Sequence, residues 1–328
     1  MTAAVHGDER LAARLGELLG SRHPVAAAAV VSAQRVTVAG RGTDLDSDFE
    51  IGSITKGVTG LLYADALARG EIGADTTLGE LLPLGDAPAA RVTLQSLSTH
   101  RSGLPGLPRS ARPWRRTIAL WRHGVNPYGE DLDKLLDQAR DVPLGKPRPR
   151  YSNFGFELLG HALANAAATT YAELIHQRIA VPLKLDCFYV AGTTDQLRPG
   201  ALTGRSRRGR RRQPWTGEGI GPAGGVRASV ASMARFTAAV LDGSAPGGAA
   251  LDPVAPFGAG AHIGAGWITI QVKGRPITWH NGGTGGFRSW LGLDRGADTG
   301  LVVLSATAAP VDRHGFALLA EYSRSKGR

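Results

Sequence analysis

Hydrophobic and polar positions divide the chain into a strand-rich frame with helices between its ends. The opening residues, MTAAVHGDERLAARLGELLG, place apolar side chains at helical spacing among charges and predict an amphipathic helix. Two short β-branched or alanine-rich runs at 25–31 and 35–40, separated by the polar SAQR stretch, predict an antiparallel hairpin. After FEIGS the period becomes helical, with Val58, Leu61, Leu62, Ala66 and Leu67 on one stripe until ARGEIG breaks it. From there to about residue 200 the segments VTLQSLSTH, DLDKLLDQAR, NFGFELLGHALANAA and YAELIHQRIAVPL predict helices punctuated by Pro and Gly.

Beyond a Gly-rich link at 243–248 the pattern turns to strands, GAGWITIQV, RPITWHNG, SWLGLDRG and TGLVVLSAT, and closes with a helix at 312–322. The expected fold class is α/β (α+β). An antiparallel sheet with terminal helices is built from about 1–60 and 215–328, and an all-helical lobe of about 61–214 is inserted into it, the whole forming one catalytic domain.

At 328 residues the chain is long enough for a sizeable core or for two lobes sharing a cleft. Its single cysteine, Cys187, has no intrachain partner and cannot build a thiolate metal site; a small buried apolar role is expected. Acidic residues near the start and the lack of a long apolar run read against a secretory leader or a membrane span, so the expected location is cytoplasmic.

The formal charge of +10 is local. GRSRRGRRRQ (204–213) contributes Arg205, Arg207, Arg208, Arg210, Arg211 and Arg212, leaving 10 − 6 = +4 for the rest. The run reads as a solvated loop or as a patch for an acidic partner or an anionic substrate. Without interleaved aromatics it reads against nucleic acid.

Several chemistries fail on context. GIGPAG (219–224) fits a dinucleotide-loop pattern with Asp242 downstream, but RRRQPWTGE before it cannot be the required buried strand, and Pro222 removes a donor. DLDSDF (44–49) begins like a calcium loop, yet Phe49 and Thr55 stand where glycine and glutamate are needed, so a polar turn is expected. The nine histidines form no H-E-x-x-H pair, no metal site or cofactor is expected, and G-x-S-x-G is absent.

The remaining candidate is Ser53-Ile54-Thr55-Lys56. Three-residue spacing puts Lys56 one helical turn, ~4.5 Å, along the axis from Ser53, within reach of its hydroxyl. A lysine whose pKa is lowered could take that proton, but a helix cap followed by a solvated lysine fits the segment equally well. The same spacing recurs at Ser323 and Lys326 in a charged tail.

Two further segments bear on the choice. Tyr151 and Asn153 project from a turn before a helix, a phenol for proton relay and an amide for orienting a carbonyl. His280 ends a strand, followed by glycines that permit close approach of a substrate backbone.

With SITK, YSN and HNG in this order, the chain resembles the serine β-lactamase and penicillin-binding-protein superfamily, in the branch of class C β-lactamases and related esterases. LARGEIGADTTLGELLP, VTLQSLSTHRSGLP and PAGGVRASVASMARF support the resemblance, which covers about residues 25–320. It implies a β-lactamase/transpeptidase-like fold in which Ser53 is acylated while Lys56 and Tyr151 share its proton. It further implies that Asn153 holds substrate and lysine, and that the backbone amides of Ser53 and Gly283, just after Gly282, bind the oxyanion. His280, where other members carry lysine, becomes the electrostatic residue facing Tyr151.

Histidine at that position fits the esterase-like relatives, since it grips a carboxylate less strongly at neutral pH. The activity expected is hydrolysis of an ester or small amide. Alternatives are a transacylase, a β-lactamase or D-Ala-D-Ala carboxypeptidase, and a non-catalytic module that binds through its basic loop.

Overall fold

A computed structural model describes residues 4–107 and 113–325. Its strands are β1 (Val5–Gly7), β2 (Ala26–Ser32), β3 (Arg35–Arg41), β4 (Asp48–Glu50), β5 (Phe188–Val190), β6 (Val226–Ser229), β7 (Ala255–Gly258), β8 (Ala261–Ile263), β9 (Ile268–Val272), β10 (Arg275–Gly283), β11 (Arg288–Asp294) and β12 (Thr299–Ser305). The helices are α1 (Glu9–Leu19), α2 (Ile54–Ala68), α3 (Leu78–Leu81), α4 (Leu94–Ser98), α5 (Pro113–His123), α6 (Leu132–Asp141), α7 (Asn153–Ala166), α8 (Tyr171–Ile175), α9 (Gly221–Gly224), α10 (Val230–Asp242) and α11 (Asp312–Ser325).

The main sheet runs β1-β3-β2-β12-β11-β10-β9-β8-β7, with every neighbouring pair antiparallel. Alternation along its central strands feeds two cores. Ala26, Ala28, Val30, Leu301 and Val303 pack with Leu11 and Leu15 of α1 and Leu318 of α11, while Ala27, Ala29, Val31, Val302 and Leu304 join the larger core on the opposite face. That larger core takes in α2, buried along nearly its whole length, together with α7 and α10. A helix apolar on all sides belongs inside, and this interior placement removes Lys56 from water.

The smaller sheet, β4-β6-β5, is absent from the sequence expectation. Its brace is Arg227 of β6, 1% exposed: Nε donates to Asp48 Oδ2 at 2.9 Å and Nη1 to Glu50 Oε1 at 3.0 Å. The expected polar turn therefore ends in a buried ion pair rather than in solvent. Burial opposes the Asp48 carboxylate, but the Arg227 hydrogen bond and charge hold it below its usual range. For Glu50 burial outweighs Arg227, and its pKa is raised. Because β4 leads through Ile51 and Gly52 into Ser53, this clamp fixes the approach to α2.

Cys187 is buried and unpaired. GIGPAG ends in α9, a single helical turn followed by β6, which is no setting for a dinucleotide. At the tail, Ser323 is buried in α11, and Lys326 lies outside the described residues. No helix among the described residues is long and apolar enough to cross a membrane.

Candidate active site

Ser53 occupies the N-cap of α2, yet its side chain caps nothing: the residue is itself helical (φ −67°, ψ −5°), with no hydrogen bond from Oγ to the first-turn amides. The hydroxyl instead receives Lys56 Nζ at 3.1 Å and is hydrogen-bonded with the Tyr151 side chain. Lys56 is completely buried and also donates to the Ala223 carbonyl of α9 at 2.6 Å. Its amine lies 4.9 Å from the Tyr151 ring centroid. Burial lowers its pKa from the usual lysine value to about 7, with the Glu157 charge acting in the opposite direction. A neutral amine is thus accessible near neutral pH, as a base beside a serine requires.

Tyr151 is 39% exposed, but its phenol reaches into the site, and burial there pushes its pKa upward despite the Ser53 hydrogen bond. It stays protonated where Lys56 titrates, so the two groups differ in what they can do. Beneath the ring, at 4.5 Å between centroids, lies His100, a buried residue whose Nδ1 accepts the Ser152 amide at 3.2 Å. The sequence carried no signal for this support beyond the position of His100 in VTLQSLSTHRSGLP.

His280 is 2% exposed and its ring centroid lies 6.3 Å from that of Tyr151, so it faces the phenol. Burial, and then the Lys56 charge, lowers its pKa to about 4. Its Nδ1–H donates to the Asn281 carbonyl at 2.6 Å. A carbonyl only accepts, so Nδ1 carries the proton, and the lowered pKa favours the neutral form of the ring. His280 thus stands beside Tyr151, where it was expected, with its charged form disfavoured by burial.

The expectation for Asn153 is corrected in part. Its amide donates to the Tyr128 hydroxyl at 3.2 Å, and the carbonyl that holds the lysine belongs to Ala223. This contact is made by backbone, in a stretch otherwise notable only for a failed nucleotide pattern, so residue identity could not reveal it.

Gly52 and Gly282 close β10 against the Ser53 loop. Gly52 has φ +53°, and a Cβ there would stand 2.6 Å from the Gly283 nitrogen, so only glycine brings the backbone of residues 52–53 beside that amide. A Cβ on Gly282 would collide with the Ile51 carbonyl, which also accepts the Ser289 hydroxyl at 2.6 Å. The backbone that leads into the Ser53 amide, at a helix start where amides lack carbonyl partners, thus lies against the Gly283 amide. Asn281 ties the strand from behind by donating to Asp312 Oδ1 of α11 at 2.5 Å. Among the described residues no cluster of His, Cys, Asp and Glu suits a metal ion.

Comparison with known proteins places this geometry in context. The family described as beta-lactamase matches residues 10–322. The chain is 28% identical over 298 residues to the D-alanyl-D-alanine-carboxypeptidase/endopeptidase AmpH of Escherichia coli (strain K12), covering 82% of this chain and 73% of that one. It is also 28% identical over 167 residues to the esterase EstB of Burkholderia gladioli, covering 48% and 42%. In three dimensions it is similar to a class C beta lactamase from Rhodobacter sphaeroides, with a TM-score of 0.75, 22% identity and coverage of 96% and 98%.

Proposed function

The chain belongs to the beta-lactamase family, and from that membership we propose that it is a serine hydrolase that forms an acyl-enzyme on Ser53 and cleaves an ester or small amide. The observation that carries this reading is the Ser53–Lys56 contact: a serine that caps nothing, 3.1 Å from a fully buried lysine whose pKa is lowered to about 7.

In the proposed reaction neutral Lys56 takes the Ser53 proton as Oγ bonds to the substrate carbonyl carbon. The resulting oxyanion is bound by the amides of Ser53 and Gly283. As the intermediate collapses, the bond to the leaving alcohol or amine breaks. Tyr151 supplies the proton to that group and recovers one from the Lys56 ammonium. Water then adds to the acyl carbon, its proton passes to the lysine–tyrosine pair, and the carboxylic acid departs with Ser53 restored. An alcohol or amine in place of water would make the same intermediate a transacylase.

Neutral His280 favours substrates without a carboxylate next to the scissile bond, a preference compatible with the similarity to an esterase. Ser53→Ala is expected to lower hydrolysis of a short p-nitrophenyl ester on the order of a thousandfold or more with an unchanged thermal melt. A variant as active as the parent would refute the reading, and product analysis with added alcohols or amines separates acid from transfer products.

A further inference from the structure

The backbone of the arginine run is fixed to the sheet, while the side chains of Arg205, Arg207, Arg208, Arg210 and Arg211 stay exposed. Arg205 N donates to the Gly286 carbonyl at 3.1 Å and the Ala306 carbonyl at 3.0 Å, and its own carbonyl accepts Ala308 N at 2.8 Å, so the run is stitched to the β10–β11 turn and the end of β12. Within the run, Ser206 N donates to the Arg210 carbonyl at 2.8 Å, and Ser206 Oγ accepts the amides of Arg208 and Arg210 at 3.3 and 3.2 Å. Gly209, at φ +79°, completes the tight turn.

This turn walls a cavity of about 530 Å³ lined by Arg207, Arg208, Arg210, Arg212 and Arg288, with Thr284 and Gly285 opposite. Among the described residues that line it there is no carboxylate. Several of the guanidinium groups are held by carbonyls, which orient them without neutralising them: Arg207 Nε donates to Ala308, Arg212 Nη1 to Leu120, and Arg288 Nη1 to Thr284 and Phe287. The crowding is felt at Arg288, which burial and then the Arg207 charge push below the usual arginine range, Asp312 offsetting part of this.

The cavity lies along the turn that follows the Gly283 amide. Arg288 pairs with Gly283 across the β10–β11 ladder, and Thr284 and Gly285 follow the Gly283 amide within no more than about 8 Å of chain.

We propose that this cavity binds the phosphate or diphosphate end of the substrate whose acyl group Ser53 receives, so that a phosphorylated leaving group or carrier arm lies along the β10–β11 turn while its carbonyl sits between the amides of Ser53 and Gly283. The proposal rests on the acyl-enzyme reading above. A phosphoryl group offers several oxygens and more than one charge to a set of guanidinium forks, which a single carboxylate does not, and the volume suits a small-molecule headgroup.

Two measurements test it, one independent of catalysis. In calorimetric titration at fixed ionic strength, inorganic diphosphate is expected to bind the parent protein at least tenfold more tightly than the doubly substituted Arg207→Gln/Arg210→Gln protein, whose thermal melt verifies folding. No binding to the parent, equal binding to both proteins, or displacement of diphosphate only by oligonucleotide overturns the proposal. In turnover, matched esters whose leaving alcohols end in phosphate, carboxylate or hydroxyl are compared. The phosphate ester is expected to lead in kcat/KM by tenfold or more, with that ratio falling towards one in the double variant. A carboxylate ester as good as the phosphate ester, or a ratio unmoved by the substitutions, overturns it. Failure of the acyl-enzyme reading looks different: no ester is turned over and Ser53 is not acylated, while diphosphate binding still responds to the arginines.

Discussion

In the proposed reaction the chemistry turns on Lys56, whose burial makes a charged amine costly and a neutral one accessible. Below pH 7 it is protonated and cannot accept the Ser53 proton; above pH 7 it can. With Tyr151 raised out of range and His280 near 4, kcat/KM is expected to rise about tenfold per pH unit up to about pH 7 and then level off. Lys56→Arg, which keeps a cation but removes the titration, is expected to abolish that limb and lower activity about a hundredfold or more. A flat profile between about pH 5 and 8 in the parent protein would contradict the assignment. This pairing was only half legible in the sequence. Ser323 and Lys326 share the spacing of Ser53 and Lys56, and what marks the latter pair is the complete burial of Lys56 and the Ala223 carbonyl that holds it, which no local pattern encodes.

Elements with strong local periodicity were readable. The β2–β3 hairpin, the β9–β12 strands and helices α2, α6 and α7 lie where the alternation of apolar positions put them. What escaped was short and held by distant partners. β1 has three residues, and the β4-β6-β5 sheet depends on Arg227 finding Asp48 and Glu50, the latter 177 positions away. The junction between β4 and α2 has a functional consequence of its own. Gly52→Ala places a side chain at φ +53° and against the Gly283 amide, so the two amides must separate. The variant is expected to lose about a hundredfold in kcat with a smaller change in KM, as when one oxyanion donor is removed, together with a lowered Tm. Parent-like kcat in a folded Gly52→Ala protein would show that the paired amides do not serve the reaction.

At the scale of the molecule, the site is a convergence. α2 brings Ser53 and Lys56, the turn before α7 brings Tyr151, α9 brings the Ala223 carbonyl, and β10 brings His280 and Gly283. Their order along the chain was visible in three short motifs; their meeting depends on the sheet and its flanking helices. The charge tells a similar story. Composition located six arginines in one run, but only the fold turns that run onto the strand that follows His280 and gives it a cavity.

The central claim, that Ser53 carries the acyl group, is tested most directly by acid-quenching the protein during turnover of an ester panel and measuring its intact mass, with peptide mapping. The account predicts a mass increment equal to the acyl group, confined to the peptide containing Ser53 and absent from Ser53→Ala. Turnover without an adduct on that peptide, or an adduct that persists in Ser53→Ala, would contradict it.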